Sequence, residues 1–131
     1  MDVTDLRRVE LFSSLSKREL EQLTRWTDEV SVPAGRELAT EGRFAHEFFV
    51  IIEGSAEVVK DGERIAELGA GDFFGEIALL ETDRRTASVI AASDMRLIVM
   101  FEREFKAMEH DMPDVAARIR TAIRERLSRR P

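Results

Sequence analysis

Between residues 30 and 101 the apolar runs are short, and each stops where the chain can turn. Val30-Ser31-Val32 alternates and ends at Pro33-Ala34-Gly35, and the run Phe48-Phe49-Val50-Ile51-Ile52 closes at Glu53-Gly54. Ala56 to Lys60 and Glu63 to Leu68 flank Asp61-Gly62, a dipeptide suited to the tight turn of a β-hairpin. Leu97 to Phe101 is continuous enough to predict a strand buried on both faces. Strands this short, with glycine at most of the turns, predict a β-barrel, roll or sandwich.

Helical patterns flank this zone. In residues 4–29, Ser16-Lys17-Arg18-Glu19 forms a capping box, with Leu15 and Leu20 placed for a hydrophobic staple. Leu20, Leu23 and Trp26 or Thr27 follow at helical spacing, which marks a core-facing stripe. In residues 102–131, Glu102 to His110 predicts a short helix, and Pro113 suits the first turn of the next. Val115, Ile119, Ile123 and Leu127 then recur every four residues. The expected class is α+β: a β-roll, jelly-roll-like and barrel-shaped, over 30–101, with N-terminal helices over 4–29 and C-terminal helices over 102–131. A chain of 131 residues fits one such domain, residues 1–131.

Composition narrows the function classes. The net charge of -6 argues against the domain as a nucleic-acid binder. Zero cysteines exclude disulfides and thiolate metal sites, which suits a reducing cytoplasm. No apolar run approaches the ~18 residues of a membrane span. His46 and His110 lack metal-ligand spacing, and no nucleophile-elbow pattern surrounds a serine, so the expectation is no catalytic residue and no metal. The charge is uneven: residues 113–131 carry six arginines against Asp114 and Glu125. Such a basic helix reads either as a docking element, for an acidic partner or for the acidic body itself, or as a solvated helix whose last-turn cations complement its dipole.

The stretch Gly71 to Val89, GDFFGEIALLETDRRTASV, is organised for an anion. Gly75 lets the backbone turn closely, and Ile77 to Leu80 can form one helical turn whose first N–H groups are free donors. Arg84-Arg85 then returns a planar fork of donors that matches a phosphate. Only one of two adjacent arginines points inward along an extended segment. Glu76 repels an anion unless it binds something else, such as a sugar hydroxyl, and phosphate plus hydroxyl suggests a nucleotide. The structural alternative is a Glu76–Arg85 ion pair closing a strand connection.

This stretch resembles the phosphate-binding cassette of the cyclic nucleotide-binding domain family. It reads Phe74-Gly75-Glu76-Ile77-Ala78-Leu79-Leu80, a spacer of Glu81 to Arg84, then Arg85-Thr86-Ala87. Leu11-Phe12-Ser13-Ser14-Leu15 resembles the family's opening helical motif, and Gly35, Gly42, Gly54, Gly71 and Gly75 fall where its roll turns. The resemblance implies that Glu76 binds the ribose 2′-hydroxyl and that Arg85 pairs with the cyclic phosphate. Gly75 and backbone N–H groups around Ile77, Ala78 and Ala87 would assist. An apolar pocket of Val58, Ile65 and Leu68 would receive the base.

Thr86 places a hydroxyl where it can bond the phosphate, or the exocyclic amine of a syn guanine. The implied ligand is 3′,5′-cyclic AMP, with cyclic GMP second and no further cofactor. A base contact from the C-terminal end would come from Arg126, Arg129 or Arg130, or from a partner chain. The implied partners are a separate protein or fused output domain, and a homodimer through the C-terminal helix. Two readings therefore compete: a cyclic nucleotide sensor, and a ligand-free interaction module that keeps the fold. The intact Glu76 and Arg85 favour the first.

Overall fold

The structure, a computed structural model, describes residues 3–76 and 84–128. The chain opens with α1 (Val3–Arg7), a 3-10 turn (Glu10–Phe12), α2 (Lys17–Leu23) and a second 3-10 turn (Thr24–Trp26). Eight strands follow: β1 (Asp28–Val32), β2 (Glu37–Ala39), β3 (Glu47–Glu53), β4 (Ala56–Lys60), β5 (Glu63–Leu68), β6 (Phe73–Phe74), β7 (Ser88–Ala91) and β8 (Met95–Phe101). Two helices close the described chain, α3 (Glu102–Asp111) and α4 (Pro113–Ser128). The first strand begins at Asp28, two residues ahead of the boundary expected from the sequence. Asp28 and Glu29 are exposed, and they enter the sheet because their backbones pair with Val99 and Ile98 of β8.

The strands form two antiparallel four-stranded sheets, ordered β1-β8-β3-β6 and β2-β7-β4-β5. This is a β-roll. The expected barrel closure is not realised among the described residues, because no strand pairing joins the two ladders. Strand alternation then divides the core in two. Phe48 and Val50 of β3, Phe73 of β6, and Ile98 and Met100 of β8 face the helices. Phe49, Ile51, Phe74, Leu97 and Val99 face the second sheet, where they meet Ala39, Ala56, Leu68 and Val89. The central strands are buried on both faces, as their unbroken apolar runs imply, except that Phe101 at the end of β8 is exposed.

The capping box forms: the Glu19 N–H donates to Ser16 Oγ at 3.1 Å, and the Ser16 N–H donates to Glu19 Oε1 at 2.9 Å. Asp61 and Gly62 both adopt positive φ, the geometry of a type I′ hairpin turn. Val115, Ala116, Ile119 and Ile123 pack α4 onto the helical core, while the side chain of Leu127 lies outside the described set.

The basic helix docks on the acidic body. Arg118 pairs with Glu19 and Asp114 and donates to the Ser14 carbonyl at 2.9 Å. Its guanidinium holds the Glu19 carboxyl below the usual range, chiefly through their hydrogen bond. Arg120 pairs with Glu109 and stacks over Phe105, and Arg126 bridges Glu10 and Asp72.

Candidate functional site

Arg85 enters the site from a segment fixed by the β2–β3 connection. Its N–H donates to the Arg43 carbonyl at 2.7 Å, and its carbonyl accepts the Gly42 N–H at 2.9 Å. Phe44 and Arg84 form an antiparallel bridge beside it. With the backbone held this way, the two arginines diverge. Arg84 is exposed, donates to the Gly42 carbonyl at 2.7 Å and lies 4.4 Å from the centre of the Phe44 ring. Arg85 turns inward and is 7% exposed.

Arg85 Nη2 donates to the carbonyl of Glu47 at 2.8 Å, where β3 begins. Its Nη1 is buried and has no hydrogen-bond partner among the described residues. Burial pushes the guanidinium pKa down, and the nearby carboxylates of Glu47 and Glu76 partly restore it. An orphaned donor on a buried cation is costly, and it calls for a partner that the described residues do not supply. Glu76 does not fill that role. No ion pair joins Glu76 to Arg85, so the structural alternative raised by the sequence is not realised.

Gly75 makes the arrangement sterically feasible. Strand β6 pairs with β3 through Phe74–Phe49 and Phe73–Val50, and that register continued sets Gly75 and Glu76 beside Phe48 and Glu47. Gly75 has φ +79°, and a Cβ there would collide with Arg85 Nη1 and with the Glu47 carbonyl oxygen.

Arg85 opens onto a cleft of about 290 Å³ over the inner face of the second sheet. The cleft brings together eight of the residues singled out in the sequence: Val58, Ile65 and Leu68 on one side, and Gly75, Glu76, Arg85, Thr86 and Ala87 on the other. Its size is at the lower end of the ~300–1,000 Å³ of small-molecule sites, and its mixture of apolar wall and few polar groups is typical of them. Ile65 is 57% exposed and forms part of the mouth, whereas Leu68 is buried in the floor. Thr86 is exposed at the rim. Ile77 and Ala78 lie outside the described residues.

Sequence reading missed several contributors. The Glu47 carbonyl is a backbone group and carries no sequence signal. Ala39 and Val89 line the cleft because β2 and β7 pair across it. Lys60 also lines it, and strand alternation from Val58 could have found it. Conversely, Arg126 does not approach the cleft. It lies in a separate groove of about 370 Å³ between the first 3-10 turn and α4, tied to Asp72 at 2.9 Å and Glu10 at 3.2 Å. Arg129 and Arg130 fall outside the described residues. Neither histidine joins a metal-binding cluster among the described residues, and no helix there is long and apolar enough to cross a membrane.

Residues 29–111 match the family model described as cyclic nucleotide-binding domain. A cyclic nucleotide-gated potassium channel of Rhizobium etli is 35% identical over 118 residues, covering 90% of this chain and 33% of the channel. A cAMP-dependent protein kinase regulatory subunit of Aspergillus niger is 30% identical over 115 residues, covering 86% of this chain and 28% of that protein. The chain thus spans about a third or less of these relatives' length. The crystal structure of a cyclic nucleotide-binding domain from Methylobacillus flagellatus superposes with a TM-score of 0.85 at 23% identity, over 96% of this chain and 74% of that one, which is a likeness of fold.

The crowding around Gly75 gives a test that needs no ligand. Gly75→Ala should destabilise the fold by about 1–3 kcal/mol, from left-handed backbone strain plus displacement of Arg85. Urea unfolding of the two proteins measures it; an unchanged midpoint would mean that the close approach of Gly75 to Arg85 is absent in solution.

Proposed function

Since the chain belongs to the cyclic nucleotide-binding domain family, whose members are regulatory and sensor domains rather than enzymes, we propose that it is a sensor that binds 3′,5′-cyclic AMP in the cleft beside Arg85. The observation that carries this reading is the buried Arg85 Nη1, a charged donor without a partner among the described residues, on a side chain that lines a cleft whose opposite wall is apolar. A cyclic phosphodiester oxygen completes it with a charge-assisted hydrogen bond. Glu76, half-buried at the same wall and not paired with Arg85, is free to accept a ribose 2′-hydroxyl. Val58, Ile65 and Leu68 cover the purine face. Ile77, Ala78 and Ala87 would add backbone donors to the phosphate.

The cAMP-dependent kinase relative supports cyclic AMP as the preferred ligand. The apolar wall offers little to separate the bases, so cyclic GMP should bind measurably and more weakly. Occupancy would pass to the terminal helices, since Arg126 of α4 grips Asp72, which lies just ahead of β6 and Glu76. The output is a partner protein or a fused domain. The apolar stripe of α4 is buried within the protomer, so a homodimer through this helix would use its exposed face, which includes Ala117, Thr121 and Arg124.

A melting scan with cyclic AMP, cyclic GMP and 5′-AMP tests the reading directly. Cyclic AMP at about 100 times its Kd should add ~2.7 kcal/mol of stability. No shift with either cyclic nucleotide at millimolar concentration would favour the ligand-free interaction module.

The divergence of the two arginines makes a second test. Arg85→Ala should weaken cyclic AMP binding by about 2–5 kcal/mol, because it removes the desolvated partner of the phosphate. Arg84→Ala should change it far less, since Arg84 contacts Gly42 and Phe44 on the outside. Equal losses in calorimetry would mean that both act only through charge.

Thr86 gives a third. Thr86→Ala should weaken cyclic GMP more than cyclic AMP if the hydroxyl reaches the guanine amine. Equal weakening in calorimetry would confine the hydroxyl to the phosphate.

A further inference from the structure

The charged side chains that line the cleft are Glu76, Arg85 and Lys60. Glu47 adds a second carboxylate close enough to act on Arg85. Without Lys60, two carboxylates therefore surround one guanidinium, and a cyclic phosphate would bring a further negative charge. Either the site tolerates that imbalance or a second cation corrects it.

Lys60 is placed to correct it. It ends β4 two residues after Val58, so both side chains leave the same face of the strand, and both line the cleft. Strand β4 pairs with β7 through Val58–Val89 and Val59–Ser88. That register continued by one residue sets Lys60 opposite Ala87, immediately beside Thr86 and Arg85. The lysine thus stands at the phosphate side of the cleft and not at its apolar wall.

The surroundings leave its ammonium available. Among the described residues Lys60 makes no ion pair and no side-chain hydrogen bond. Glu63 faces it across the hairpin by register, on an exposed rim where such a pair is worth little. Asp61, next to Lys60 in the turn, and Glu41, which accepts the Asp61 N–H at 3.1 Å, are the other acids near the hairpin tip, and neither forms an ion pair with Lys60 among the described residues. The other cation of the hairpin, Arg64, is engaged elsewhere, with Glu67 at 2.5 Å and Glu57 at 4.0 Å.

From this geometry we infer that Lys60 is a second phosphate-side cation, which draws the cyclic phosphate toward Arg85 and offsets the two carboxylates around it. The inference rests on the cyclic-nucleotide reading of the cleft. Arg85 is buried and directional and fixes the bound phosphate. Lys60 is exposed and mobile on its stem, a point charge that acts mainly on approach. Its effect is therefore blind to the base.

The test is Lys60→Gln, with Lys60→Arg and Arg64→Gln alongside, titrated with cyclic AMP and cyclic GMP at low and high salt. Lys60→Gln should weaken both nucleotides by the same factor, about two- to fivefold, as expected for an exposed charge. The loss should fall mostly in the association rate and shrink at high salt. Lys60→Arg should restore binding, and Arg64→Gln, which removes the same charge from the same hairpin, should leave it near the parent value. Three results would overturn the inference: no change in Lys60→Gln, an equal loss in Arg64→Gln, or a loss confined to one nucleotide, which would make Lys60 a base contact. If the parent protein binds neither nucleotide, the reading of the cleft fails as well, and that outcome is visible before any variant is made.

Discussion

Burying a guanidinium requires strong acceptors for its donors, and among the described residues Arg85 has one such acceptor, the backbone carbonyl of Glu47. That contact sets conditions on several other parts of the fold. Glu47 must begin β3 at the right register, which the pairing of β3 with β8 and β6 fixes. Residue 75 must lack a side chain, because Arg85 and the Glu47 carbonyl occupy the space that a Cβ would take. The Arg85 backbone must be held by Arg43 and Gly42 so that Arg84 faces out and Arg85 faces in. The site is thus a consequence of strand register, with a single charged side chain as its focus.

The two-sided burial of β3 and β8 is what makes that register firm. A slip by one residue would send Phe48 and Val50 toward the second sheet and Phe49 and Ile51 toward the helices, against two differently shaped cores. Apolar side chains on both faces keep the strands continuous and rigid, and the functional groups sit at their ends, where Glu47 and the residues after Phe74 leave the core. The cleft itself lies on the second sheet, whose edge strand β5 is exposed over most of its length. The rigid first sheet supplies the Glu47 carbonyl that holds the arginine, and the half-exposed second sheet supplies the wall that a ligand would cover.

Local signals were the ones legible in the sequence. The capping box at Ser16 and the turn at Asp61-Gly62 each depend on residues a few positions apart, and both appear as expected. Glu76, Arg85 and Thr86 of the cassette share one cleft with Val58, Ile65 and Leu68 of the β4–β5 hairpin, which lies outside the cassette. What the sequence left hidden depends on long-range pairing. Arg126 looked available for a base contact, yet Asp72 and Glu10, far away in sequence, hold it. Phe101 extends an apolar run but is exposed where β8 meets α3. The Glu47 carbonyl could not be read at all, since every residue has one.

The docking of α4 connects these points. A basic helix on an acidic body is favourable wherever its charges land, but here they land on particular groups. Arg118 reaches the capping residue Glu19 of α2, and Arg126 reaches Asp72. Asp72 also accepts the Gly69 N–H at 2.8 Å, and its carbonyl accepts the Ile51 N–H at 2.9 Å, so it organises the turn that delivers β6 to the site. The same residue therefore sits between the strand leading to Glu76 and the last described helix. Under the proposed sensor function, a ligand that moved Glu76 would act on the turn at Asp72 and reach α4 through the half-buried Arg126–Asp72 ion pair. If that pair rearranged, the apolar contacts of Ile119 and Ile123 would keep the helix attached.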